Sequence, residues 1–430
     1  MAFLGMRGTG DFNVSGQRPK NWREMILYLY PNGSAPLTAL LSKMASEKVD
    51  DPEFNWYTKT LSQQAGTITG VYTNSGLSTA YTTGGVVDTV LYLKMAQADA
   101  TEFRAGHQIL LRKSDAITVD KNAKVTAVTL AGANSYLTVK LLEADNGAAP
   151  DISDANRALV IGSINSEGAG MPSAISYDPV KLDNYTQIFR TPLEITRTAR
   201  RTRLRTGDAY KEAKREALEY HSIEMEKAFL WGLKTETIGA NGKPERTTMG
   251  LINAIKANAP ANVVDFRTWS TANHLGEDWI ENSAGEDFID TQLEILFRYG
   301  NREKLAMCGS GALLGINKLV KNRSEFTFTS ETKDYGIKVV SWKTPFGEIN
   351  MMTHPLFSFE PSNRNSMVIF EPANLKYRFI DDTTFYADGE QQNTGPNRVD
   401  GTKEEFLTEA GLEFHHPVGW GFWNGIGLNP

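Results

Sequence analysis

Few residues of this sequence are spaced for covalent chemistry, and the most suggestive is a run of glycines. Gly309-Ser310-Gly311-Ala312-Leu313-Leu314-Gly315 follows an expected strand and opens an expected helix, where a dinucleotide-binding turn would lay backbone amides around a pyrophosphate. Its G-x-G-x-x-x-G spacing is one residue longer than that fingerprint. The next segment, Phe326-Thr327-Phe328-Thr329, places no acidic residue at a strand end to hold a ribose. Later strands are joined by turns, so a tight elbow is favoured over a cofactor site and no cofactor is expected. Cys308 and Ser310 flank the elbow as formal nucleophiles, but the G-x-S-x-G spacing is missing. Cys308, the single cysteine, ends an apolar strand and reads as a small buried hydrophobe. The histidines His107, His221, His274, His354, His415 and His416 form no H-E-x-x-H or comparable pair, so neither a metal site nor a catalytic residue is assigned.

The concentrated charge signal is arginine: Arg190, Arg197, Arg200, Arg201, Arg203 and Arg205, opposed locally only by Glu194. Guanidinium forks match phosphate oxygens, so the run has the chemistry to face DNA. It lacks the interleaved aromatics of single-strand binders, and the chain as a whole is acidic, with a net charge of −6. Pairing with carboxylates across a boundary between identical subunits is therefore favoured, because complementary patches set register where like-charged copies would repel. The C-terminal stretch holds Trp420, Phe422 and Trp423 among flexible glycines. Left in water these rings would form an unusual patch, so they are expected to pack under the core or against a neighbouring copy.

The elements that position these groups follow from periodicity. Residues 1–20 are glycine-rich and polar and read as an extended arm, followed by short amphipathic helices at Asn21–Tyr30 and from Ser34 to Met44. Alternating runs between turns mark a small, mostly antiparallel β unit over about 86–165. Gln187–Thr196 is extended and feeds the strongest helix signal, which starts after Asp208 as N-cap and stops at Gly232. Its apolar stripe is read through Tyr210, Ala213, Ala217, Tyr220, Ala228 and Trp231, widened by Leu218, Met225 and Phe229. A helix of about 24 residues extends about 36 Å, enough to cross a domain. An amphipathic helix from Asp287 to Tyr299, a strand-elbow-helix around Gly309 and a β-rich remainder complete an α+β chain. With 40% hydrophobic residues in 430, a sizeable core is available, and no apolar stretch reaches the roughly 18 residues of a membrane span.

This order resembles the major capsid proteins of tailed bacteriophages, the Johnson fold (HK-ninety-seven-like). Local phrases add to it: Gln187-Ile188-Phe189 before the helix, Ile223 to Gly232 at its end, Thr344-Pro345-Phe346-Gly347 before a strand, and Thr408-Glu409-Ala410-Gly411-Leu412-Glu413 near the C-terminus. The resemblance implies an N-arm over 1–50 and an E-loop region over 51–185 carrying the β insertion. It implies a P-domain strand and spine helix over 186–255, with the helix at 208–231. Residues 256–340 would be mainly A-domain, and 341–430 the returning A- and P-domain strands with the tail. It also implies a non-enzymatic subunit that assembles with itself, as hexamers and pentamers, into an icosahedral or prolate head around double-stranded DNA. Expected partners are a scaffolding protein, a portal and decoration proteins, with no membrane. Assembly would take place in the bacterial host cytoplasm and the product would be the virion capsid. The alternatives are an encapsulin-type nanocompartment shell and, more remotely, a soluble nucleotide-binding enzyme using Gly309–Gly315.

Overall fold

A computed structural model describes residues 37, 46–59, 64–114, 118–145, 150–202, 208–322, 329–333, 337–387 and 401–430. The two expected N-terminal helices lie outside these residues, apart from Leu37, which is helical and fully buried. The chain forms two compact units, Met1–Trp56 with Lys181–Pro430, and Tyr57–Val180.

The unit Tyr57–Val180 is built on a closed six-stranded antiparallel barrel. Its strands, in order around the barrel, are Ala65–Tyr72, Val90–Met95, Tyr136–Leu141, Asp120–Thr129, His107–Arg112 and Arg157–Ser163. Strict alternation explains why it closes: along Tyr136–Leu141 every second residue is buried, and Leu91, Leu93, Ile109, Leu111, Val125, Leu137 and Val139 fill the interior. Register shifts within three of the strand pairs supply the extra curvature. The strand Ala65–Tyr72 is the member that periodicity does not announce, because Gly66 and Gly70 interrupt its alternation. Closure removes the exposed strand edges that an open sheet of this size would present.

The larger unit carries two sheets. The first has four strands in the order Ser46–Lys48, Leu375–Tyr386, Gly401–Phe414 and Gln187–Thr196. Along Gln187–Thr196, Phe189, Thr191 and Leu193 point inward while Ile188, Arg190, Pro192 and Glu194 face out. The long helix Ala209–Trp231 packs on the inward face, with the Asp208 side chain accepting from the Tyr210 N–H at 3.0 Å as its N-cap. Its buried stripe runs through Ala217, His221, Met225 and Phe229 at steps of four, whereas Leu218 and Tyr220, expected inside, are exposed. The stripe is rotated from the sequence reading because it includes two polar residues, His221 and Glu226, that an apolar pattern skips.

The second sheet has seven strands, ordered Val263–Asp265, Gly421–Asn424, Met367–Phe370, Glu303–Cys308, Glu348–Thr353, Ile337–Lys343 and Thr329–Lys333. It is mixed: Glu303–Cys308 runs parallel to Glu348–Thr353 and antiparallel to Met367–Phe370. The helices Phe266–Asn273, Ala284–Phe297 and Ser310–Asn322 supply Phe266, Phe288, Leu293, Ala312 and Ile316 to the core that covers it. The fold class is therefore α+β.

Candidate functional site

Four features were singled out by sequence, and the structure treats each differently. The arginine run begins on the outward face of the four-stranded sheet. Arg190 grips Glu405 with both prongs, Nε to Oε2 at 2.9 Å and Nη2 to Oε1 at 2.7 Å, and Lys403 meets Glu194 at 2.9 Å. Arg190 is thus paired within the chain, with its side chain still exposed. At the strand's end Thr196 caps the short helix Arg197–Arg201. Arg200 lies over the Tyr210 ring at 4.6 Å, and Tyr210 in turn donates its hydroxyl to Glu404 at 2.6 Å. Arg197, Arg200 and Arg201 are exposed, while Arg203 and Arg205 lie outside the described residues. Lys214 sits over the Phe385 ring at 3.4 Å, so cations gather where the long helix begins. The carboxylates of Asp208, the N-cap, Glu212 in the first turn and Glu404 share this end with them.

The glycine elbow is closed to ligands by the protein itself. The Gly311 and Ala312 amides donate to the Arg364 carbonyl at 3.0 and 3.1 Å, Gly309 N–H to Ser366 O at 3.0 Å, and Ser310 N–H to Ser358 Oγ at 3.1 Å. A Cβ on Gly309 would strike the Arg364 backbone, and one on Gly315 would strike Gly427. The glycines are there so that two backbones can pass, not so that phosphate can approach. Cys308 is fully buried, and burial pushes its thiol far above the ordinary range, which removes it as a nucleophile. Among the described residues no group of three or more His, Cys, Asp or Glu side chains converges as a metal site.

The aromatic tail belongs to the subunit's own core. Trp420 and Trp423 are fully buried, Trp420 edge-on to Phe370 at 6.2 Å and Trp423 against Phe288 at 5.9 Å, while Phe422 is half-buried. Of the two readings, packing or interface, packing holds for both tryptophans.

Sequence reasoning missed three buried polar centres. Glu226 on the long helix accepts the Leu37 N–H at 2.6 Å and meets His354 Nε2 at 2.8 Å. Lys304 is buried against Glu371 at 2.6 Å. His221 lies between the hydroxyls of Thr191, at 2.9 Å, and Thr408, at 2.8 Å. Helical spacing offered one signal, since His221 and Met225 continue the four-residue step from Ala217.

These centres give the subunit a defined acid response. Burial pulls the His221 pKa below its ordinary value of 6.5, so the unfolded chain takes up a proton before the native one does. That contribution to stability is complete above about pH 6.5 and is lost as pH falls below it. Burial pushes Glu413 upward, but hydrogen bonds from Arg378 and His415 outweigh this and hold it below its ordinary 4.5. Its contribution is present above that value and disappears as pH falls through the lowered one. Urea midpoints measured from pH 7 to 4 are expected to fall in two stages, with His221→Asn reducing the first, to which His107, its pKa also lowered by burial, contributes as well. An unchanged slope between pH 6.5 and 5 in that variant would exclude His221 as its source.

Comparison with known proteins follows the same direction. A family model described as SU10 major capsid protein matches residues 8–427. The chain is 24% identical over 426 residues to a major capsid protein of Pseudomonas phage PaMx41, covering 95% of this chain and 92% of that one. Among solved structures it is similar to the capsid of a native GTA particle, with a TM-score of 0.48, 7% identity, and 98% and 99% of the two chains covered. It is also similar to Microbacterium phage Oxtober96, with a TM-score of 0.43, 10% identity and 96% of each chain covered. The holo-SrpI encapsulin complex from Synechococcus elongatus PCC 7942 aligns over 58% of this chain and 78% of its own, with a TM-score of 0.40 and 11% identity.

Proposed function

The chain belongs to the SU10 major capsid protein family, and from that premise we propose how its parts build a phage head. It is a major capsid protein of a phage, a structural subunit that assembles with copies of itself, and its place is the virion capsid. The observation that carries this is the match of the family along nearly the whole chain, 8–427. The closed glycine elbow speaks against the nucleotide-enzyme alternative. A phage relative matched along most of both chains favours the virion over an encapsulin shell.

In the finer reading, the Johnson-type parts map onto the chain as its element order suggests. Residues 1–50 act as the N-arm, 51–185 as the E-loop region with its barrel, and Ala209–Trp231 as the spine helix. The mainly A-domain part is 256–340, and 341–430 returns through both domains. The capsid forms hexamers and pentamers in the bacterial cytoplasm, guided by a separate scaffold, meets a portal and decoration proteins, and encloses double-stranded DNA. A shell subunit must bind several neighbours, and extended arms reach surface that a compact body does not.

Arg197, Arg200 and Arg201 serve in this reading as an inter-subunit contact. What supports it is their exposure where the long helix begins, in a chain whose net charge is −6. The double variant Arg200→Glu, Arg201→Glu is expected to keep wild-type circular dichroism while cutting particle yield about tenfold or more, as removal of a few kcal/mol per contact would do. Normal particles from it by negative-stain microscopy would count against the contact. The function itself is tested by imaging the purified, unsubstituted chain with and without a coexpressed scaffold: shells are expected, and a monomer under both conditions would overturn it.

A further inference from the structure

The seven-stranded sheet ends in the short strand Val263–Asp265, which among the described residues pairs on one side only, with Gly421–Asn424. Beside it opens a cleft of about 560 Å³, lined by Val263, Trp269, Ala272, Phe422, Lys256 and Asp265, whose carboxylate is already paired with Arg267 at 2.9 Å. Trp269 and Phe422 are only half-buried, and the Lys256 ammonium, exposed and 5.9 Å from the Phe422 ring, forms no ion pair among the described residues. An aromatic-walled cleft with an uncommitted cation at its lip suits an apolar side chain carried on an acidic segment.

The same chain presents such a segment. The loop after the helix Phe266–Asn273 runs His274-Leu275-Gly276-Glu277-Asp278. Leu275 is 99% exposed and holds a left-handed backbone, φ +54°, a conformation costly for a residue with a branched side chain. A fully solvated leucine kept in a strained turn gains nothing for the isolated subunit. Asp278 lies three residues on, after Glu277, whose carboxylate Asn282 and His274 hold within the loop, and no lysine or arginine occurs between Leu275 and Phe297. Since Leu275 stands in solvent, it does not fill the cleft of its own chain.

We propose that Leu275 and its acidic flank enter the Lys256–Trp269–Phe422 cleft of a second copy, a knob-in-hole contact between neighbouring subunits. The proposal rests on the assembly reading and names one of its contacts. Asn273 lines the cleft and Leu275 lies two residues beyond it, with the His274 ring 5.3 Å from that of Trp269, so knob and hole share one edge of the subunit and neighbouring copies meet along that edge. The Lys256 ammonium then faces Glu277 and Asp278 while the aromatic walls take the leucine.

Two experiments test it. Replacement Leu275→Gly removes the knob yet suits the left-handed turn, so the subunit's thermal midpoint should hold or rise while the concentration needed for assembly rises about tenfold. A lower midpoint with unchanged assembly would assign Leu275 a purely internal role and overturn the contact. In the second, subunits carrying only Leu275→Cys and subunits carrying only Thr268→Cys, on the cleft wall, are assembled together and oxidised with copper phenanthroline. The native Cys308 is buried and silent. A disulfide-linked dimer that needs both variants is expected. Equal dimer from Leu275→Cys shells alone, or capture of a different segment or protein at Thr268→Cys, would show another occupant and overturn the proposal. Normal shells without the mixed dimer sink the contact alone, whereas absence of shells from the unsubstituted chain sinks the assembly reading with it.

Discussion

Replacing Glu226 by Ala is expected to destabilise the subunit by about 2–6 kcal/mol, the cost of leaving two buried donors unsatisfied at about 1–3 kcal/mol each. Glu226 and His354 are both fully buried. His354 Nδ1 accepts the Leu356 N–H at 3.2 Å as a helix cap, which places the ring proton on Nε2, where it is donated to Glu226 Oε1 at 2.8 Å. The same oxygen accepts the Leu37 N–H at 2.6 Å. Alanine leaves both donors facing a dry core, whereas Glu226→Gln keeps an acceptor oxygen and should lose less. Because Leu37 is fully buried in the core beneath the long helix, the damage should show first in the N-terminal stretch. Hydrogen exchange at the Leu37 amide should quicken in Glu226→Ala relative to wild type well before the urea transition. A variant with a wild-type urea midpoint would show that the clasp contributes nothing.

The clasp also marks the limit of what periodicity reveals. Alternation exposed five of the six barrel strands, most plainly Val90–Met95, His107–Arg112 and Tyr136–Leu141, which bury every second residue in a closed interior. The sixth, Ala65–Tyr72, is broken by glycines that its bulge and the neighbouring Phe103 ring require. The long helix could be delimited from Asp208 and Gly232, because caps are local chemistry, but its buried face could not. That face is set by Thr191 and Thr408 on two strands, which satisfy His221 from 30 and 187 residues away. The partner of Arg190 was illegible for the same reason. That arginine is balanced by Glu405, 215 residues downstream, and no reading of local charge finds that carboxylate. The tail was legible as a packing element but not as to where, since Trp423 meets Phe288 only once the sheet is assembled.

The second large effect concerns Lys304, whose position at the start of a strand gave no hint of burial. Its ammonium uses all three donors, to Glu371 Oε1 at 2.6 Å, Gly419 O at 2.9 Å and Tyr299 O at 3.2 Å. Glu371 is satisfied in turn by the Asn301 N–H at 3.0 Å and by Asn374 Nδ2 at 2.6 Å. The centre thus joins the strand Glu303–Cys308 to the turn before Leu375 and to the turn that delivers Trp420 to the core. Burial holds the Lys304 pKa below the ordinary lysine value, with Glu371 pulling the other way, so the ion pair offsets its own desolvation cost only while both members are present. Lys304→Met keeps the chain length but leaves a buried carboxylate unpaired, and a loss of about 3–5 kcal/mol is expected. Pairing it with Glu371→Leu removes the second charge and should recover much of that loss, because an apolar pair of similar volume has no charge to desolvate. Urea midpoints of the two singles and the double close the cycle. Additive losses would mean that the two groups do not act as a pair, and an undamaged Lys304→Met subunit would mean that water reaches the site and Lys304 is not the tie between sheet and tail.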